Sequence, residues 1–223
     1  MSLKRVRSQL LPTWGLRRTD ETRPMLIPAA LGHLSVEDLV PTPDLFTHDS
    51  FIHGQAHVSR VMVHAFRLIE ATGFADEAVR LWACVYLHDL ARTHDGRCRR
   101  HGADAWRKLE RLPEVQDLFL RGGLPEEDLP AVETAVTHHC LPEELAREQP
   151  HWRLTWLLKD SDGLDRVRLG DLDPRRLRFR EAPAMAAFAQ QLHDQTNWAL
   201  DPGPEYFAQL WPAAVAIEVG RAR

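Results

Sequence analysis

From Gly54 to Gly73 the apolar residues Val58, Val61, Met62, Ala65, Phe66 and Ile69 recur at spacings of three and four, the period of a helix with one buried face. Gly73 supplies its stop signal. His57, Val61 and His64 share one stripe of this helix, so His57 is expected to point inward. A second helix follows, with Asp76 as its expected cap and Ala78, Leu81, Trp82, Val85 and His88 on one side. That helix would carry His88-Asp89 into the interior. The pattern predicts further helices over about 102–112, 115–120, 129–139, 153–159, 182–200 and 204–220. No segment alternates as a strand does, and no internal repeat is visible.

Ahead of the first long helix, residues 17–50 contain Pro24, Pro28, Pro41 and Pro43 and one short helical candidate, Ser35 to Val40, with Ser35 as its N-cap. The expected fold is therefore all-α. Residues 1–50 form an arm that packs on one helical domain, 51–223, in which the C-terminal helices occupy 182–220. A site in such a bundle is expected between helices.

Composition narrows the class. A chain of 223 residues buries a full core as one domain, and 44% hydrophobic with 27% charged residues is ordinary for a globular protein. The net charge of -4 disfavours a broad grip on nucleic-acid phosphates. Cys84, Cys98 and Cys140 have neither disulfide-framework nor zinc-knuckle spacing, which fits a reducing cytoplasm. Leu10-Leu11-Pro12-Thr13-Trp14 is too short for a signal-peptide core, and no apolar run is long enough for a membrane span.

The chemistry concentrates at His88-Asp89. Neighbouring helical side chains differ by only about 100° in direction, so an adjacent His-Asp pair can reach one divalent ion. An aspartate at a helix C-terminus is also disfavoured by the macrodipole and calls for a compensating cation. Its companions are His57, His101-Gly102, His138-His139 and the run Lys159-Asp160-Ser161-Asp162-Gly163-Leu164-Asp165. The three aspartates of that run would repel one another unless cations intervene. Arginines gather after both acidic motifs: Arg92, Arg97, Arg99 and Arg100, then Arg166, Arg168, Arg175, Arg176, Arg178 and Arg180. They either snorkel from solvated loops or grip phosphate at the mouth of a site.

This series resembles the HD-domain superfamily of metal-dependent phosphohydrolases, in which a histidine, then His-Asp, then a distant aspartate hold the ion. His57-Val58-Ser59-Arg60-Val61 is similar to the family's His-x-x-Arg-Val turn, and Ser161-Asp162-Gly163-Leu164 to its Ala-Asp-Arg-Leu, with Ser for Ala and Gly for Arg. The resemblance covers about residues 51–170. It implies an HD-type helical bundle and a first ion on His57, His88, Asp89 and Asp162, with His57 favoured over His53, which is expected at solvent. A second ion would take His101, a bridging Asp89 and either His138 or His139. Asp160 and Asp165 are expected to support ligands by hydrogen bonds.

The implied activity is hydrolysis of a small phosphate ester, with a nucleotide as the leading candidate. His88, Asp89 and Arg92 would be catalytic, while Arg92, Arg166 and Arg168 would bind substrate. Histidine-rich ligation favours Mn, Fe, Co, Ni or Zn over Mg. Two rival readings remain: an HD-type di-iron oxygenase and a non-catalytic nucleotide-binding module. The bland readings are that Lys159 is an exposed helix lysine, that His64 is packed or at the surface, and that Trp152 and Trp156 belong to the core.

Overall fold

The computed structural model describes residues 27–197 and 206–221. These are all-helical, with eight α-helices and several single-turn 3-10 segments: α1 (Gln55–Thr72), α2 (Ala78–Leu87), α3 (His101–Leu109), α4 (Pro113–Arg121), α5 (Leu129–His139), α6 (Trp152–Leu164), α7 (Ala186–Thr196) and α8 (Tyr206–Arg221). No strand occurs among the described residues, and no helix there is long and apolar enough to cross a membrane.

Helix α1 is the central element: it packs on α2, α6 and α8, while α5 packs on α3, α2 and α6. Of its 18 residues, 13 are buried, including His57, Arg60 and His64, so it behaves as a core helix with polar groups enclosed. It ends where periodicity stops, at Gly73, whose φ of 73° lets its N–H reach Ile69 O at 2.9 Å. Trp82, Phe188 and Phe207 are among the largest fully buried side chains.

The described part of the N-terminal arm lies on this core. Leu31, Leu39 and Val40 are buried, the Trp82 indole N–H donates to Leu39 O at 3.0 Å, and Gln55 donates to Pro41 O at 3.1 Å. The short candidate at Ser35 is a single 3-10 turn, Glu37–Leu39, and the Ser35 hydroxyl accepts from the Asp38 N–H at 3.2 Å.

Several element boundaries differ from expectation. Asp76 does not cap α2: a 3-10 turn, Ala75–Glu77, leads into the helix, and Asp76 faces Arg153 at 3.5 Å instead. Helix α2 stops at Leu87, so Arg92 lies in the following turn and not on a continued helix. Helix α6 runs on to Leu164 because a tertiary tie holds it there. The buried Asp160 carboxylate accepts from the Arg178 and Phe179 backbone N–H groups, each at 2.8 Å, and fastens the returning chain to α6. The helix expected over 182–200 begins as a 3-10 turn, and its α-helical part is Ala186–Thr196; Leu200 lies outside the described residues.

Candidate metal centre

Three helices place the central ligand candidates. His57 sits in the first turn of α1, His88 caps the end of α2 with Asp89 next to it, and Asp162 lies in the last turn of α6. His57 Nε2 stands 3.2 Å from His88 Nε2, 3.3 Å from Asp162 Oδ1 and 3.5 Å from Asp89 Oδ2. Donor atoms bound at 2.0–2.1 Å to one ion lie about 2.9–3.4 Å apart in octahedral or tetrahedral geometry. The three distances from His57 have that spacing to within about 0.1 Å, and His88 Nε2 to Asp89 Oδ2 is wider at 3.8 Å.

A second group adjoins the first. His101, opening α3, and His139, closing α5, bring their Nε2 atoms to 2.9 Å, and His101 Nε2 is 3.2 Å from Asp89 Oδ1. Thus the two oxygens of Asp89 face different groups: Oδ2 looks to His57, Oδ1 to His101. This close meeting of α3 and α5 depends on Gly102, where a Cβ would stand 2.1 Å from Val136 O. Of the pair at the end of α5, His139 faces this group. His138 is not among the side chains converging there, and its Nδ1 is buried without a partner.

What the imidazoles do on their far sides decides which atoms they present. His88 Nδ1 lies 2.8 Å from Val85 O, His139 Nδ1 2.6 Å from Val136 O and His101 Nδ1 3.1 Å from Cys98 O. A carbonyl can only accept, so each Nδ1 carries a proton, and in the neutral ring Nε2 keeps its lone pair. His57 does the same through a carboxylate, donating from Nδ1 to Asp165 Oδ2 at 2.8 Å. Asp165 is itself buried and held by Arg60 at 2.6 Å. With all four rings neutral, as metal binding requires, two pairs of Nε2 lone pairs confront one another at 3.2 and 2.9 Å, a repulsion that a cation between them relieves.

Electrostatics fits this assignment at His88 and His139, whereas at His101 the Asp89 carboxylate outweighs burial and raises the imidazole. Burial lowers His88 to about 4 and His139 to about 3, keeping both neutral at physiological pH. Burial alone would raise Asp89 and Asp162, but the facing imidazoles outweigh it: His88, His101 and His53 around Asp89, and His57 and His88 around Asp162, hold both well below the usual carboxylate range. Neutral histidines and ionised carboxylates are the forms that bind metal. The donor set also forms the ligand groups His57, His88 and Asp162, and His101, His139 and Cys140.

Above this cluster opens a cavity of about 600 Å³, whose lining includes Asp89, Asp162, His101 and His139. His57 and His88 are fully buried beneath. Arg92, Arg166 and Arg168 line the same cavity but differ in freedom. Arg92 donates to Asp89 Oδ1 at 2.8 Å and to Gly96 O at 3.1 Å. Arg168 is committed to the fold, donating to Ile52 O and Asp165 O at 3.0 Å each. Arg166 is exposed and pairs with Asp171.

Three side chains depart from the expectations. His53 is buried, not at solvent, and its Nδ1 donates to Asp89 Oδ2 at 3.0 Å. Lys159 is likewise buried, because its Nζ donates to Leu141 O and Glu143 O at 2.9 Å each at the start of the α5–α6 loop. Arg60 had no role assigned from sequence, although its place three residues after His57 puts both on one helix face, where Asp165 meets them. His64 is buried with both ring nitrogens unpartnered by hydrogen bonds, and burial lowers it to about 3. Trp152 and Trp156 stack edge to face at 5.1 Å beside Phe179. No family model, curated protein or solved structure matches the chain.

Proposed function

We propose that the chain is a metal-dependent phosphohydrolase of the HD type, acting on a small phosphate ester. One observation carries the reading: two pairs of imidazole Nε2 atoms, each ring oriented by an Nδ1 hydrogen bond, face across Asp89 beneath an arginine-lined cavity. A first ion would rest on His57, His88, Asp89 and Asp162, and a second on His101, His139 and the other oxygen of Asp89, with Cys140 near the second. The motif order of the sequence and the convergence of His57 with His88, Asp162 and Asp89 both support this first site.

A divalent ion in such a site lowers the pKa of water from 15.7 towards about 7 and draws charge from a phosphoryl oxygen. The chain's own residues perform the remaining tasks. Asp165, anchored by Arg60 and Arg168, fixes the His57 tautomer and raises its basicity as a ligand. His53 orients Asp89 from the side opposite Arg92 by donating to Oδ2 while Arg92 donates to Oδ1. Arg92 and Arg166, on the cavity wall, offer guanidinium donors to phosphoryl oxygens. No serine or cysteine nucleophile is needed for this chemistry.

The test is to load purified, metal-stripped protein with Mn, Fe, Co, Ni or Zn in turn and assay a panel of phosphomonoesters and diesters, with dissolved oxygen followed in parallel. Metal-dependent release of phosphate or alcohol without oxygen consumption is the expected result. Oxygen consumption, or silence across the panel with metal bound, would overturn the reading.

A further inference from the structure

The cavity's walls say what kind of molecule fits it. Seven basic side chains line it, Arg92, Arg97, Arg166, Arg168, Arg176, Arg178 and Lys159, against three carboxylates other than Asp89 and Asp162. Its larger apolar side chains are Leu169, Leu172 and Leu177, and no Phe, Tyr or Trp stands among the described lining residues. Stacking on an aromatic ring contributes about 1–3 kcal/mol per base and is a common platform for a nucleobase. The histidines on the floor are not available for it, since His53, His101 and His139 are turned towards Asp89 or each other. The chain has rings to offer, but Trp152, Trp156 and Phe179 pack on one another outside the cavity.

The positive charge, in contrast, exceeds what one phosphoryl group needs. Such a group, with at most two negative charges, would be matched by the ions beneath it and by Arg92. Arg97 and Arg176 remain on the wall, both exposed. Arg97 forms no ion pair among the described residues, and the guanidinium of Arg176 reaches Asp173 only at 3.8 Å. Neither anchors a helix. Their placement on the wall of one concave site is an electrostatic cost that a second anionic group of the ligand removes.

Resting on the phosphohydrolase reading, we propose that the substrate is a small metabolite with at least two phosphoryl groups, recognised through those groups and not through a base. One group lies over the floor, where water adds to phosphorus, the P–O bond to the alcohol breaks and the alcohol oxygen takes up a proton. The second stays intact and is gripped by Arg97 and Arg176.

The experiment compares matched probes on the metal-loaded full chain. Fructose 1,6-bisphosphate should be hydrolysed with kcat/KM about tenfold or more above fructose 6-phosphate, the effect of one added charged hydrogen-bonded group. AMP and ribose 5-phosphate, which differ by the base, should agree within about threefold, less than one stacking contact. An Arg97→Ser/Arg176→Ser double variant should abolish the bisphosphate advantage. A bisphosphate no better than the monophosphate, or AMP preferred tenfold over ribose 5-phosphate, overturns the proposal. If no ester is hydrolysed, the phosphohydrolase reading fails separately. Calorimetry with inorganic tripolyphosphate against orthophosphate then decides the anion site: tighter tripolyphosphate binding that is lost in the double variant supports it, and equal binding overturns it.

Discussion

Gly102→Ala separates the two halves of the centre with a single methyl group. The added Cβ would lie 2.1 Å from Val136 O, 3.0 Å from Val136 C and 3.1 Å from His139 Nδ1. Relief requires α3 and α5 to part by about 1 Å, since non-bonded carbon and oxygen atoms settle beyond about 3 Å. His101 Nε2 and His139 Nε2, now 2.9 Å apart, then move to about 4 Å, outside the roughly 2.9–3.4 Å that ligands of one ion keep. Second-ion affinity should fall about 10- to 100-fold, the range seen when ligand orientation is disturbed. Helix propensity acts in the opposite sense, because alanine is favoured over glycine by up to about 1 kcal/mol inside a helix. Overpacking costs about 1–3 kcal/mol, so the variant should be less stable despite its better helix former. Gly220→Ala, where a Cβ meets nothing within 4 Å, is the control with propensity alone. Metal titration against a competing chelator, with elemental analysis, reads both sites, and thermal melting reads stability. Two ions bound as tightly as in the parent, with no loss of Tm relative to Gly220→Ala, would refute the claim that this contact builds the second group.

Three further outcomes are expected. His88→Ala and Asp89→Ala should each abolish metal binding and hydrolysis while far-UV circular dichroism stays helical; undiminished metal in either would place the ion elsewhere. His139→Ala should lose the second ion and His138→Ala should keep it, as elemental analysis will report; the reverse pattern would reject the assignment. The metal-free protein should lose stability as pH falls below 6.5. The unfolded chain gains a proton at His64 there, while the folded chain, with that pKa lowered to about 3, does not. Between pH 6 and 4 the parent should therefore lose about 1.4 kcal/mol per pH unit more than His64→Leu in urea denaturation, and parallel slopes would show that His64 does not contribute.

Helices α1, α2 and α5 were legible because their apolar residues recur at helical spacing in the local sequence. Motif order also named His57, His88, Asp89 and Asp162, whose side chains the fold brings together. The remainder depended on contacts between distant segments. Whether His138 or His139 turns inward is set by the approach of α3 to α5 at Gly102, and nothing in the spacing of α5 encodes that approach. Lys159 read as a surface lysine until loop carbonyls 16 and 18 residues away enclosed it. His53 read as solvent-facing because the Asp89 that draws it in lies 36 residues on. The end of α6 was placed too early since the tie at Asp160 comes from residues beyond the helix.

The tautomers of the centre have unequal exposure to mutation. His88, His101 and His139 each take their orienting acceptor from the backbone three residues earlier, at Val85, Cys98 and Val136. Every residue type supplies a carbonyl, so a side-chain exchange at those three positions leaves the acceptor in place. His57 alone depends on a side chain, Asp165, and through it on Arg60. Drift in sequence can therefore retune the basicity of one imidazole out of four, the one at the proposed first-ion site. A lineage with this centre could vary its metal preference or its pH range by changes at Asp165 and Arg60 while the other three imidazoles stayed fixed by the course of the main chain.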